Sequence, residues 1–149
     1  MWDILFSLTN LVALAAWVVL IGLPRHEVLL TLVLYLGVGL LCLIYATLLI
    51  GLVGGILDPI GERGSMTEYS IDGLMRLFDT RGGIVLAWTH YLAFDLFVGL
   101  WIARDADHKG FSRWLQAPIL LLTFLAGPFG LLVWLLVRER RARRSGRQR

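Results

Sequence analysis

The sequence predicts an all-α polytopic membrane protein, a four-helix transmembrane bundle with a short amphipathic helix on the surface between the second and third spans. Three observations carry this. Hydrophobic residues make up 58% of the 149, and mean hydropathy is +0.74. Four apolar runs, Asp3 to Leu23, Val28 to Ile56, Gly83 to Ile102 and Leu115 to Val137, each reach the ~20 residues that a spanning helix requires. Almost nothing remains for a soluble domain, so residues 1–149 read as a single transmembrane domain ending in a basic tail, 138–149.

The first run carries Trp2 and Asp3 where a signal peptide would have a basic region, and it is too long for one, so it reads as a retained helix. The second holds Cys42, the only cysteine, which excludes a disulfide and a thiolate metal site and leaves a packing role. The connection DPIGERGSMTEYSIDGLMRLFDTRGG begins rich in glycine and charge. It then places Ile71, Leu74, Met75, Leu77 and Phe78 at helical spacing, as a helix lying on the membrane surface would. After the third run, the segment Arg104 to Arg113 reads as a solvated loop; its Asp105, Asp107 and His108 lack a defined metal-ligand spacing. The fourth run contains AGPFG, residues Ala126 to Gly130, where Pro128 removes a backbone donor and disturbs the carbonyl of Phe124.

Charge sets the expected orientation. With both termini cytoplasmic, Arg63, Arg76, Arg81 and seven arginines from Arg138 onward lie inside, against Arg25, Arg104, Lys109 and Arg113 outside. Ten against four favours that arrangement by the positive-inside rule. The tail RERRARRSGRQR directly follows a span, so it suits anionic lipid headgroups rather than nucleic acid. There is no internal repeat, phosphate-binding glycine loop or nucleophile elbow, and the sequence assigns no cofactor and no metal site.

The candidate site comes from two ionisable residues, His90 and Asp95, near the middle of the third run. An ionisable group at that depth costs at least ~3 kcal/mol, so such residues face a protein interior and mark a site. Five residues at ~100° each leave the two about 140° apart around the helix axis, which argues against a shared contact. Asp95 shares its face with Tyr91, Trp88 and Gly99; His90 shares an aromatic face with Phe94, Phe97 and Trp101. Asn10, the only central polar residue of the first run, falls at the depth of His90 and is expected to hydrogen-bond to it, and the Gly127–Pro128 break lies near the same level.

The stretch IDGLMRLFDTRGGIVLAWTHYLAFDLFVGLWIARDA, followed by LTFLAGPFGLLVWLL, resembles the abscisic-acid-deficient 4 family of plant plastid and bacterial membrane proteins, whose plant members are associated with neoxanthin synthesis. The resemblance covers Ile71 to Leu136. It rests on Trp88, His90, Asp95, Gly99, Trp101, Arg104 and Asp105 in the pattern W-x-H-x-x-x-x-D-x-x-x-G-x-W-x-x-R-D, with Gly127, Pro128 and Gly130 in the fourth run. No plastid transit peptide precedes Trp2, so the expected setting is a bacterial inner membrane. The resemblance implies a carotenoid or other isoprenoid ligand, and an epoxide-to-allene isomerisation with no redox change. For that chemistry a desolvated Asp95 suits the acid that protonates the epoxide oxygen, and neutral His90 the base that takes a proton from the neighbouring polyene carbon. Asn10, Trp88, Tyr91, Phe94, Phe97, Gly99, Trp101, Gly127 and Pro128 are the expected ligand contacts. The alternatives are a non-catalytic pigment-binding or assembly protein and a haem protein using His90, although no second axial histidine shares its depth. Expected partners are membrane lipids, a second copy of the chain or a carotenoid-pathway enzyme, and no nucleic acid.

Overall fold

A computed structural model describes residues 1–58 and 70–146, with side chains to residue 139. The helices are α1 (Trp2–Gly22), α2 (Glu27–Val53), α3 (Ile71–Phe78), α4 (Arg81–His108) and α5 (Arg113–Gly146). All but α3 are long and apolar enough to cross a membrane. No strand is present among the described residues.

Two sets of contacts define the ends of the molecule. At the proximal end, the Trp2 indole donates to the Asp58 carbonyl at 3.2 Å, and Arg81 pairs with Asp3 at 3.0 Å. At the distal end, the Arg113 guanidinium donates to the carbonyls of Ile21 and Leu23, satisfying acceptors that the last turn of α1 leaves free. So α1 and α4 run from proximal to distal, and α2 returns between them. Within α2, the stretch Val33–Gly39 is a π-helix, the wider helix found mostly as short insertions. Gly37 lies in it, and a Cβ there would meet Ala16 and Leu96 at 3.0 Å, so α2 packs directly against both α1 and α4.

Helix α4 is the central element, touching every other helix. Thr80 caps its start, accepting from the Gly83 amide at 2.9 Å, and Ser70 caps α3 by accepting from Gly73 at 3.0 Å. Gly83 is needed at this corner, because a Cβ would run into the Leu77 carbonyl. α4 also continues two turns past the expected Ile102, to His108. Asp105 and Asp107, expected in a solvated loop, are helical and paired there.

Helix α5 departs furthest from expectation. Its length and hydropathy are those of a span, but Ala126 leaves the helical region at φ −152°, ψ 63°, and the chain reverses there. A Cβ on Gly130 would overlap the backbone of Thr123, seven residues earlier; in a continuous helix these positions are about 10 Å apart. Beyond the turn, the Trp134 indole donates to Asp105 at 3.2 Å and meets the Phe111 ring edge to face, with centroids 5.0 Å apart. Arg138 then pairs with Asp105 at 3.0 Å. The break is local, since Pro128 cannot donate to the Phe124 carbonyl, and Gly127 and Gly130 let the two arms close on each other and on α4. Each arm, 113–125 and 127–139, is about 20 Å long, short of the ~30 Å hydrocarbon core. α5 is therefore a helical hairpin whose tip reaches the level of Asp95, and Arg138 stands at the distal end, opposite Trp2. The sequence expectation of two termini on one side rested on a straight α5.

Candidate functional site

Because the hairpin turns back at mid-depth, it covers α4 only over its distal half. The proximal half faces a cavity of about 510 Å³ instead. Tyr45 of α2 forms one wall, Gly127, Pro128 and Leu131 of α5 the other, and Leu74, Leu77 and Phe78 of α3 close the proximal end. From Gly83 to Asp95 the cavity follows α4 for about 18 Å. Its rim residues Tyr91 and Phe94 are 57% and 56% exposed, so it opens sideways, where lipid would lie. Non-helical backbone at membrane depth is tolerated where it lines a cavity or is covered by protein, and the Ala126–Pro128 tip meets that condition.

His90 and Asp95 both line this cavity. The expected angular separation is correct, but it measures the width of one site. Positions 83, 86, 87, 90, 91, 94, 95 and 98 spread over roughly 180° of the helix surface, an arc left bare because no helix packs there. His90 stands at one flank and Asp95 at the other, five residues or about 7.5 Å apart along the axis. The imidazole is exposed to the cavity and packed among rings, with Phe94 at 4.6 Å, Tyr45 at 5.5 Å and Tyr91 at 6.2 Å between centroids. The Asp95 carboxylate touches the hairpin tip so closely that a Cβ on Gly127 would overlap it. The second arm begins there, with Pro128 in its first turn, where a missing N–H is harmless. The positive end of that half-helix thus faces the carboxylate.

Of the residues singled out in the sequence, His90, Tyr91, Phe94, Asp95, Gly127 and Pro128 are brought together. The others are placed elsewhere. Asn10 accepts from the Trp88 indole at 3.1 Å and donates to the Phe6 carbonyl at 2.7 Å, so its partner is Trp88 and not His90. That pair tethers α1 to α4 beside the Asp95 flank, since Trp88 lies about 20° from Asp95 around the helix axis. Gly99 lets the Trp17 ring of α1 lie against α4, where a Cβ would overlap it. Trp101 stands at the distal end, with the Arg138 guanidinium 5.7 Å over its ring. Phe97 is outward and half-exposed. These five were drawn in by depth or face, and each serves packing or faces outward. Tyr45 carries no signal in the sequence, and Leu74, Leu77 and Phe78, expected as the face of a surface helix, also close the cavity, because nothing in their own segments indicates which helix they meet.

The distal end holds a second polar cluster. Arg25, with only 6% of its side chain exposed, donates to Asp107 at 2.8 Å, to the Ala103 carbonyl at 3.3 Å and to Gln116. The fully buried Gln116 in turn donates to Asp107 at 3.0 Å and to the Phe111 carbonyl at 2.8 Å. Buried charge so fully partnered is structural in character. Among the described residues no group of three or more His, Cys, Asp or Glu could hold a metal ion.

The sequence model of the ABA DEFICIENT 4-like family matches residues 4–134. The chain belongs to that family. The match takes in all the helices that form the cavity, including the first arm of the hairpin and the start of the second. Membership associates this ABA DEFICIENT 4-like chain with carotenoid- and neoxanthin-related processes in a membrane. No curated protein and no solved structure matches it.

Proposed function

We propose that the cavity binds the end group of a carotenoid or similar isoprenoid from within a bacterial membrane and isomerises it without redox chemistry. The observation that carries this reading is that one mainly apolar, laterally open cavity holds a carboxyl and an imidazole on opposite flanks, inside an ABA DEFICIENT 4-like chain. Its volume is within the usual range for small-molecule sites. An end ring would sit between Asp95 and His90, with the polyene lying along Phe94 and Tyr91 toward α3. Protonated Asp95 delivers its proton to the epoxide oxygen as that C–O bond breaks; His90 removes the proton from the adjacent polyene carbon, whose electrons form the allene. The oxygen becomes a hydroxyl, and no atom is gained or lost. Proton return from His90 to Asp95 resets the pair. A group on each side of the substrate serves this reaction better than two in mutual contact.

The haem alternative lacks a second imidazole in the cavity, since His26 and His108 lie at the distal end. The test is turnover of a 5,6-epoxy carotenoid by the protein in membranes, with variants compared at matched abundance. Asp95→Asn and His90→Gln keep hydrogen-bonding capacity but cannot exchange the proton, so each should lose ~100-fold or more. Full turnover in both variants would reject the acid–base reading. Pigment that copurifies unchanged with the wild-type protein would make it a binding protein.

A further inference from the structure

We infer that the cavity opens into the leaflet opposite the cytoplasm, with the N-terminus on that side and the basic tail in the cytoplasm. The inference begins at Arg138. Its ion pair with Asp105 and its position over the Trp101 ring fix the start of the tail at the distal end, together with the α1–α2 and α4–α5 connections. The proximal end holds Trp2, Asp58 and the α3–α4 corner.

Grouping the cations by these ends changes the charge balance. Among the described residues, Arg25, Arg104, Lys109, Arg113 and the five arginines of the last helix from Arg138 to Arg144 belong to the distal end, which makes nine. Arg76 and Arg81 belong to the proximal end, which makes two. All lie close enough to a membrane-embedded segment to count toward orientation, and the positive-inside rule then places the distal end in the cytoplasm. The bias of nine to two exceeds the seven to four that a straight α5 would give for the same residues. A straight α5 also puts Arg138 and Asp105 at opposite surfaces, whereas they form an ion pair.

The site follows from the orientation. Its floor is Asp95 and the hairpin tip at mid-depth, and it extends proximally to α3. It therefore occupies the outer half of the bilayer, and its rim at Tyr91 and Phe94 faces the acyl chains of that leaflet. α3, with Ile71, Met75 and Leu74 mostly exposed, lies at the outer surface over the cavity end. The identity of the ligand rests on the proposed function; the leaflet does not.

Single cysteines decide the matter. In a Cys42→Ser background, Asp79→Cys marks the α3–α4 corner, Ser112→Cys the α4–α5 connection and Ser145→Cys the tail. Intact cells are treated with a membrane-impermeant maleimide, before and after permeabilisation. We expect Asp79→Cys to react in intact cells, and Ser112→Cys and Ser145→Cys only after permeabilisation. The reverse pattern would overturn the orientation. Reaction of Ser145→Cys together with Asp79→Cys, and not with Ser112→Cys, would overturn the hairpin. Either failure leaves carotenoid turnover to be judged separately, because labelling reads no chemistry.

Discussion

The two halves of this molecule, divided at the level of Asp95, treat polar groups in opposite ways. In the distal half Arg25, Asp107, Gln116, Asp105 and Arg138 all have partners, and the larger apolar core, with Trp17, Leu100, Leu120 and Trp134, packs around them. In the proximal half the core is small, and His90 and Asp95 line open space rather than bonding across to a neighbouring helix. The same helix, α4, supplies both sets of residues. What differs is coverage: two arms of a hairpin lie against one half and none against the other. An ionisable residue in a membrane helix is therefore no sign of a site by itself; a covered one holds helices together, and an uncovered one is available to a ligand.

Breaking the covered half should cost the most stability. Arg25→Ala removes the donor that serves the buried Gln116 side-chain carbonyl and the Ala103 carbonyl, and each buried acceptor left without it costs ~1–3 kcal/mol. Unfolding in mixed micelles should show that loss, and a stability equal to wild type would mean that the network is not the distal clamp. The next effect belongs to the uncovered half. Gly127→Val pushes a side chain into the Asp95 carboxylate; under the acid role proposed for Asp95, a displacement of ~1 Å should lower turnover ~100-fold. It should do so with little change in unfolding, the reverse of Arg25→Ala.

Gly99→Ala sharpens the comparison, because Gly99 adjoins both halves in sequence and a Cβ there would overlap the Trp17 ring. Overpacking there should cost ~1–3 kcal/mol and leave turnover per folded molecule unchanged. A loss of turnover would restore Gly99 to the site. The smallest effect is expected from Asp3→Asn, which removes an exposed pair with Arg81 and should shift stability by less than ~1 kcal/mol.

The fold class was legible in the sequence because membrane length and hydropathy are one-dimensional properties, and α1, α2 and α4 begin within two residues of the expected places. The break at Pro128 was legible as well, but its angle was not. A proline states that a hydrogen bond is missing; whether the chain bends or reverses depends on what receives the second arm, here Asp105 through Trp134 and Arg138. The same limit applies to the site. Helical arithmetic placed His90 and Asp95 on different faces, which is true of the helix and irrelevant to a cavity as wide as both. Asn10 and Trp88 were found at the right depth, but pairing them with each other required the facing of α1, which no sequence period reports.

The hairpin also has a consequence for how the chain is made. Both arms of α5 enter and leave through the distal surface, so with that surface cytoplasmic the arginine-rich tail never has to be carried across the membrane during synthesis. The tip cannot wait in lipid, because its broken backbone needs the wall of α4 beside it. We therefore expect α1, α2 and α4 to insert first and the hairpin to dock last, so that chains truncated after residue 110 still integrate in alkali-resistant form but bind no carotenoid. Completion of the cavity is then the final event of biogenesis, and no partly made chain can present His90 and Asp95 in a finished site.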